Sequence, residues 1–119
     1  MINIKPIVYQ ALGNNQALIS IVGDRIDYLK SSSNDLPRIT FFEVNNVDGD
    51  YVDDQAQSGR VSVQVSIWCG DATHLTPIIQ EVNNTMKEIG FYRTSSVDLY
   101  ENDTQIYHKA LRYSAKFNL

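Results

Sequence analysis

Val61-Ser62-Val63-Gln64-Val65-Ser66-Ile67-Trp68 is the most regularly patterned segment of the sequence. Aliphatic and polar residues alternate, and a period of two places the aliphatic set on one face of a β-strand and the polar set on the other. Trp68 is the exception, because it stands on the polar face. Strands with one apolar face belong to sheets that are covered on one side, and such sheets are usually antiparallel.

A second alternating segment ends the sequence, from residue 105 onward. One of its faces carries Tyr107, Leu111, Tyr113, Ala115, Phe117 and Leu119, with Lys109 as a charged exception. Between the two strands, an apolar stripe recurs at helical spacing in Leu75, Ile78, Ile79, Val82, Met86 and Ile89. Asp71 or Thr76 can cap this helix, and Gly90 is the expected stop. We therefore predict a helix over 76–90 that packs on the sheet.

The remaining segments complete the topology. A helix is predicted over Ile4–Leu12 and a second, short helix is predicted between Asn14 or Asn15 and Gly23. Residues 38–44 and 91–99 have strand composition. The chain is thus expected to be one α+β domain over residues 1–119, with a two-layer architecture. Its sheet should be mostly antiparallel, with four or five strands and helices packed on one face.

Residues 45–59 are rich in Asn, Asp, Gly and Gln. This composition predicts a long acidic loop, mobile at its tip, between two strands. Loops of this length are uncommon in compact domains and are often functional.

Composition excludes several functional classes. The net charge of −4 argues against sequence-independent binding to nucleic acid, which depends on Lys and Arg. No apolar run approaches the ~20 residues of a membrane helix, and the first residues do not have the pattern of a signal peptide. Cys69 is the only cysteine, so no internal disulfide can form.

No set of residues suggests catalysis, a cofactor or a metal. His74 and His108 are expected to be solvated surface histidines, and Cys69 is expected to be a small buried hydrophobe rather than a nucleophile. Asp48-Gly49-Asp50 resembles part of a calcium loop, but its register fails, because Gly59 stands where the closing Glu is needed. We therefore predict that the chain is not an enzyme.

Taken in order, several segments resemble the small tail-terminator proteins of long-tailed bacteriophages and prophages, also called tail-completion or tail-to-head joining proteins. The segments are Ala17–Ile26, Leu36–Phe41, Val61–Trp68, the helix that ends in Met86–Phe91, and the final strand. The similarity covers nearly the whole chain and lies in hydrophobic layout with Gly and Pro punctuation, not in catalytic signatures.

The resemblance implies a virion assembly protein with no cofactor and no membrane or specific nucleic-acid partner. A hexameric ring of this chain would cap the tail tube, stop its polymerisation and join the head connector. Such a protein would be located in the virion tail or neck and assembled in the cytoplasm of the host bacterium. A head-completion or neck adaptor of the same particle, and a cytoplasmic protein-binding module unrelated to phages, remain as other interpretations.

Candidate interface residues follow from composition. Trp and Tyr are enriched at interfaces, which selects Trp68 and Tyr51. For Trp68, a subunit boundary and cover by a loop of its own chain are both compatible with the sequence. The acidic segment adds a further set of candidates, which consists of Asp48, Asp50, Asp53 and Asp54.

Overall fold

A computed structural model describes all 119 residues. Its helices are α1 (Ile4–Asn14), α2 (Gln16–Val22) and α3 (Leu75–Glu88). Its strands are β1 (Ile26–Tyr28), β2 (Arg38–Val52), β3 (Gln55–Cys69), β4 (Tyr92–Glu101) and β5 (Ile106–Asn118). They form one five-stranded sheet in the order β1-β2-β3-β5-β4, in which only the β1–β2 pair is parallel. The predicted α+β class with a mostly antiparallel sheet is confirmed.

The hydrophobic core lies between one face of the sheet and the three helices. Val61, Val63, Val65 and Ile67 of β3 have no exposed surface, as the alternation predicts. They share one cluster with Ile78, Val82 and Met86 of α3 and with buried residues of α1 and α2. Each such side chain contributes roughly 1.5–3 kcal/mol when it is fully removed from water. The opposite face of the sheet carries no helix, and we call it the open face.

Local capping sets the ends of the helices. The Asn15 side chain accepts a hydrogen bond from the Leu18 N–H at 3.0 Å, and Gly23 and Gly90 follow α2 and α3 with φ of 63° and 92°. Glycine adopts this left-handed conformation without strain. The predicted cap at Thr76 is wrong, because α3 begins one residue earlier, at Leu75. Asp71 instead accepts a hydrogen bond from the His74 N–H at 3.1 Å, just before the helix.

The prediction of a long loop over residues 45–59 is also wrong. These residues form the outer half of a hairpin, in which β2 and β3 pair as far as Val52 and Gln55. Asp53 and Asp54 make the two-residue turn, with φ of 51° and 63°. A type I′ turn requires positive φ at both positions, and aspartate tolerates that conformation. The strands escaped detection because backbone hydrogen bonds hold this ladder without an alternating apolar face.

Candidate assembly surfaces

Trp68 lies half-buried on the open face of β3. Its ring stacks on His108, with 3.7 Å between the ring centroids and 16° between the planes. The Arg38 guanidinium lies 5.4 Å from the ring centroid, and the indole Nε1 donates to Thr40 Oγ1 at 3.2 Å. The strand register creates this arrangement, because Trp68 pairs with Arg38 on one side and with His108 on the other. Side chains of adjacent strands, rather than a loop, therefore flank the ring.

His108 is not the solvated surface histidine that the sequence predicted. Its side chain is half-buried against Trp68, and its Nε2 is buried without a hydrogen-bond partner. Burial lowers the pKa of His108 below the ordinary value of 6.5, although the nearby Glu101 carboxylate acts in the opposite direction. The sequence could not reveal this environment, because it depends on a residue forty positions away in the chain.

Exposed apolar side chains also lie on the open face at β4 and at the outer half of β2. On β4 these are Tyr92, Val97 and Leu99, with exposed fractions of 54%, 46% and 49%, and on β2 it is Val47, with 47%. Sequence reasoning missed Val97 and Leu99, because the segment over residues 91–99 alternates weakly, and it missed Val47, because residues 45–59 have the composition of a loop. Their common face follows from the pairing register, in which Val97 lies opposite Ala110 and Leu99 opposite His108.

Three of the four acidic candidates, Asp50, Asp53 and Asp54, lie at the far end of the β2–β3 hairpin, residues 50–57, which we call the tip. Asp50 accepts a hydrogen bond from Ser58 Oγ at 2.6 Å, and its carboxylate lies 2.9 Å from Lys116 Nζ. The bond from Ser58, and then the Lys116 ammonium, lower the pKa of Asp50 below its ordinary range. Asp53 and Asp54 form the turn, and the neighbouring Tyr51 side chain is 63% exposed.

Trp68 and the tip belong to different surfaces. Tyr51 pairs with Ala56, and Trp68 lies twelve residues further along β3, which corresponds to about 40 Å of extended strand. Asp48, which is closer to the sheet, lies 3.3 Å from the terminal amine of Met1. The structure therefore does not bring the six candidate residues into a single site.

The side chains that could take part in chemistry are dispersed over the molecule. Cys69 is buried, and burial raises the pKa of its thiol to about 11. Asp71 interacts with Thr73 and His74, and hydrogen bonds to it, chiefly from the Thr73 hydroxyl, lower its pKa to about 2. No group of three or more His, Cys, Asp or Glu side chains is arranged to hold a metal.

The two largest surface depressions have volumes of about 450 and 470 Å³. Lys5, Tyr9 and Tyr28 line the first, and Asn15, Glu81 and Thr85 line the second. The groups with displaced pKa values lie elsewhere.

None of the helices combines the length and the apolar character that crossing a bilayer demands.

The fold has a counterpart among solved structures. It is similar to a chain from the virion of the native gene transfer agent particle. The TM-score is 0.72, and the likeness covers 94% of this chain and 92% of that chain, at 13% sequence identity. At this identity the likeness establishes a shared fold. No protein-family model and no curated protein matches the sequence.

Proposed function

We propose that this chain is a structural protein of a phage-like virion and that it acts as the tail terminator. In this role a hexameric ring caps the finished tail tube, stops its polymerisation and presents its other side to the head connector. The observation that carries the proposal is the fold shared with a gene transfer agent virion chain over almost the full length of both chains. The layout of the sequence supports the same role independently.

The distribution of surface features suits an assembly protein without catalytic activity. Apolar side chains are exposed on the open face and at the tip, whereas the ionisable groups with shifted pKa values are scattered. We propose Trp68 as a contact within the ring. We further propose that Tyr51, Asp48, Asp50, Asp53 and Asp54 contact another protein of the assembly, which is the tube, the connector or a neighbouring copy. Because the two groups lie at opposite ends of β3, one chain can contact two partners at once.

The test is electron microscopy of purified tail tubes of the same particle, assembled with and without this protein. Rings with sixfold symmetry at tube ends, and a narrower distribution of tube lengths, are the expected result. The length distribution should respond to the ratio of this protein to tube protein, because capping competes with addition of tube subunits. Tubes that keep growing at a molar excess of this protein would contradict the proposal.

A head-completion or neck adaptor of the same particle is the second candidate, because the likeness to a virion chain does not distinguish a tail protein from a neck protein. Symmetry separates the two roles. A protein that binds the head side should follow the twelvefold order of the connector, and it should bind connectors in the absence of tubes. Microscopy of mixtures with connectors alone therefore distinguishes the adaptor from the terminator.

A further inference from the structure

Two long strand edges of the sheet have no partner. β4 is the last strand on one side, and its outer edge is free over residues 92–101. On the other side, β1 pairs only with residues 39–41 of β2, so the outer edge of β2 is free over residues 42–52. The two free edges are nearly equal in length. Unpaired backbone N–H and C=O groups make such edges templates for another strand.

The directions of these strands are compatible with mutual pairing. The four strands from β2 to β4 are joined by successive antiparallel pairs, and an even number of strands leaves β2 and β4 antiparallel to each other. If a second copy is placed beside the first with its open face on the same side, β4 of one copy meets β2 of the next as an antiparallel pair. The sheet then continues without inverting its apolar and polar faces.

The hydrogen-bonding directions also match. The Ile39 N–H donates to Arg25 O at 2.9 Å, and Phe41 O accepts from the Leu29 N–H at 2.8 Å. Residues of β2 whose side chains enter the core therefore direct their backbone groups outward. In an antiparallel sheet the backbone N–H and C=O groups of successive residues point to alternate sides of the strand. By this alternation, the core-side residues of β4 also direct their backbone groups towards its free edge. At both free edges, the unpaired backbone groups thus belong to residues whose side chains lie on the core side of the sheet.

We propose that β4 of one copy pairs with the outer half of β2 of the next copy, so that the subunits of the ring share a continuous sheet. The partner is a second copy of this chain, bound head to tail. This inference rests on the proposed ring. It adds the strands that form the ring contact, which the shared fold does not specify.

Side-chain complementarity selects the register. In the register that sets Val97 opposite Val47 of the neighbouring copy, two exposed apolar side chains of the open face cover each other. The same register sets Asp98 opposite Asn46, and it brings Tyr92 close to Tyr51 and Arg93 close to Asp50. No two like charges are opposed between Tyr92 and Leu99. Opposite-charge and apolar cross-strand pairs both stabilise a sheet.

Each free edge contains a bulge, which limits where another strand can pair with it. The register of β2 shifts between Glu43 and Asn45, and that of β4 shifts between Arg93 and Ser95, whereas the β3–β5 ladder shows no shift. A bulge interrupts the regular ladder and therefore disfavours pairing with another strand at that position. Beyond the bulges, residues 45–52 of β2 and 95–101 of β4 remain available for pairing, and these segments contain Val47 and Val97.

Disulfide trapping tests the pairing. Open-face residues across the new joint form non-hydrogen-bonded pairs with Cα atoms about 4.5 Å apart, which suits a disulfide. The double variant Val47→Cys, Val97→Cys should give, under mild oxidation of rings on tail tubes, a ladder of covalent species up to six chains. The native Cys69 does not interfere, because this residue is buried, with 1% of its surface exposed. A matched control with Val97→Cys and Ser20→Cys, the latter on the exposed side of α2, should stay monomeric.

The single variants separate head-to-tail from symmetric contacts. Each should remain monomeric on a non-reducing gel, because one cysteine then faces a valine. Dimers from Val97→Cys alone would mean that β4 pairs with itself, and the inference would be overturned. Rings that form on tubes without a ladder from the double variant would also overturn it, while leaving the proposed function intact. A ladder without rings on tube ends would support the edge contact and refute the tail-terminator role.

Discussion

At the scale of single residues, Trp68 joins three strands through side chains. Its ring contacts His108 on β5, and both Arg38 and Thr40 on β2. Trp68→Ala should lower the free energy of unfolding by about 2 kcal/mol, because a half-buried aromatic side chain is removed. Urea titration measures this change. Trp68→Phe keeps a ring at this position but loses the indole hydrogen bond and part of the stacked area, so it should cost less than the alanine variant, about 1 kcal/mol. Equal stability of wild type and the alanine variant would contradict this assignment.

The same substitution addresses the proposed ring contact. If Trp68 also contacts a neighbouring copy, Trp68→Ala should weaken capping of tail tubes by more than its loss of stability explains. The comparison is made at a temperature where both proteins are fully folded. Equal capping by the two proteins would confine Trp68 to a role within its own subunit.

His108 should make stability depend on pH. Because burial lowers its pKa, the unfolded chain binds the proton first as the pH falls, so stability is complete above 6.5 and is lost as the pH falls through the folded-state pKa. His108→Phe keeps a ring against Trp68 and should flatten this part of the profile, measured by urea unfolding between about pH 8 and 5. Parallel profiles for the two proteins would refute the prediction. Asp50 and Asp71 have pKa values below the ordinary 3.8, so their contributions disappear only in more acidic solution.

At the scale of elements, the sequence specified those parts in which side-chain pattern and burial agree. The alternation of Val61 to Ile67 and the stripe of Ile78, Val82 and Met86 each have a single face that must leave water, so local pattern was sufficient. The outer hairpin lacks such a face. Its ladder depends on backbone pairing between β2 and β3 and on a turn made by two aspartates, and neither feature leaves a periodic signal.

The turn made by Asp53 and Asp54 carries backbone strain that a substitution can relieve. Asp53 and Asp54 hold positive φ, which costs a non-glycine residue roughly 1–2 kcal/mol, less for aspartate than for most. Replacing them with Asn and Gly, the preferred type I′ pair, should raise the free energy of unfolding by about 1 kcal/mol. The midpoint of thermal unfolding should rise accordingly. The control Asp103→Asn removes one acidic charge from another turn, where φ is not positive. An equal gain from the control would attribute the effect to charge.

At the scale of the whole molecule, long-range register decides what the surface presents. The sequence identified Trp68 and the acidic segment, but it placed them in no spatial relation. It also missed Val97 and Val47, whose common face emerges only when β5 lies between β3 and β4. Such pairings join residues far apart in the chain, and local propensity contains no information about them. The core was therefore predictable, whereas the arrangement of the candidate surfaces was not.

The elongated shape of the molecule sets the tip of the β2–β3 hairpin apart from the core. The molecule measures 53 × 28 × 23 Å, and the tip of the β2–β3 hairpin contributes no residue to the core. Replacing residues 50–57 with Asn-Gly joins Gly49 to Ser58, which are already a cross-strand pair. The shortened chain loses the contacts of Asp50 with Ser58 and Lys116, and the hydrogen bond from the Leu119 N–H to Gln57 O. Because these contacts are exposed or peripheral, its free energy of unfolding should stay within about 1 kcal/mol of wild type.

Capping of tail tubes by the shortened chain should fall at least tenfold, because the proposed contacts of Tyr51, Asp50, Asp53 and Asp54 are removed, whereas Asp48 is retained. The full-length variant with Asn and Gly at positions 53 and 54 is the matched control, since it keeps the length of the hairpin and loses two of its charges. If that variant caps tubes normally and the shortened chain does not, the length of the hairpin and the side chains of residues 50–52 and 55–57 make the contact. If both fail, the acidic turn itself is required. Normal capping by the shortened chain would exclude the tip from the interface and leave the open face and its strand edges as the assembly surface.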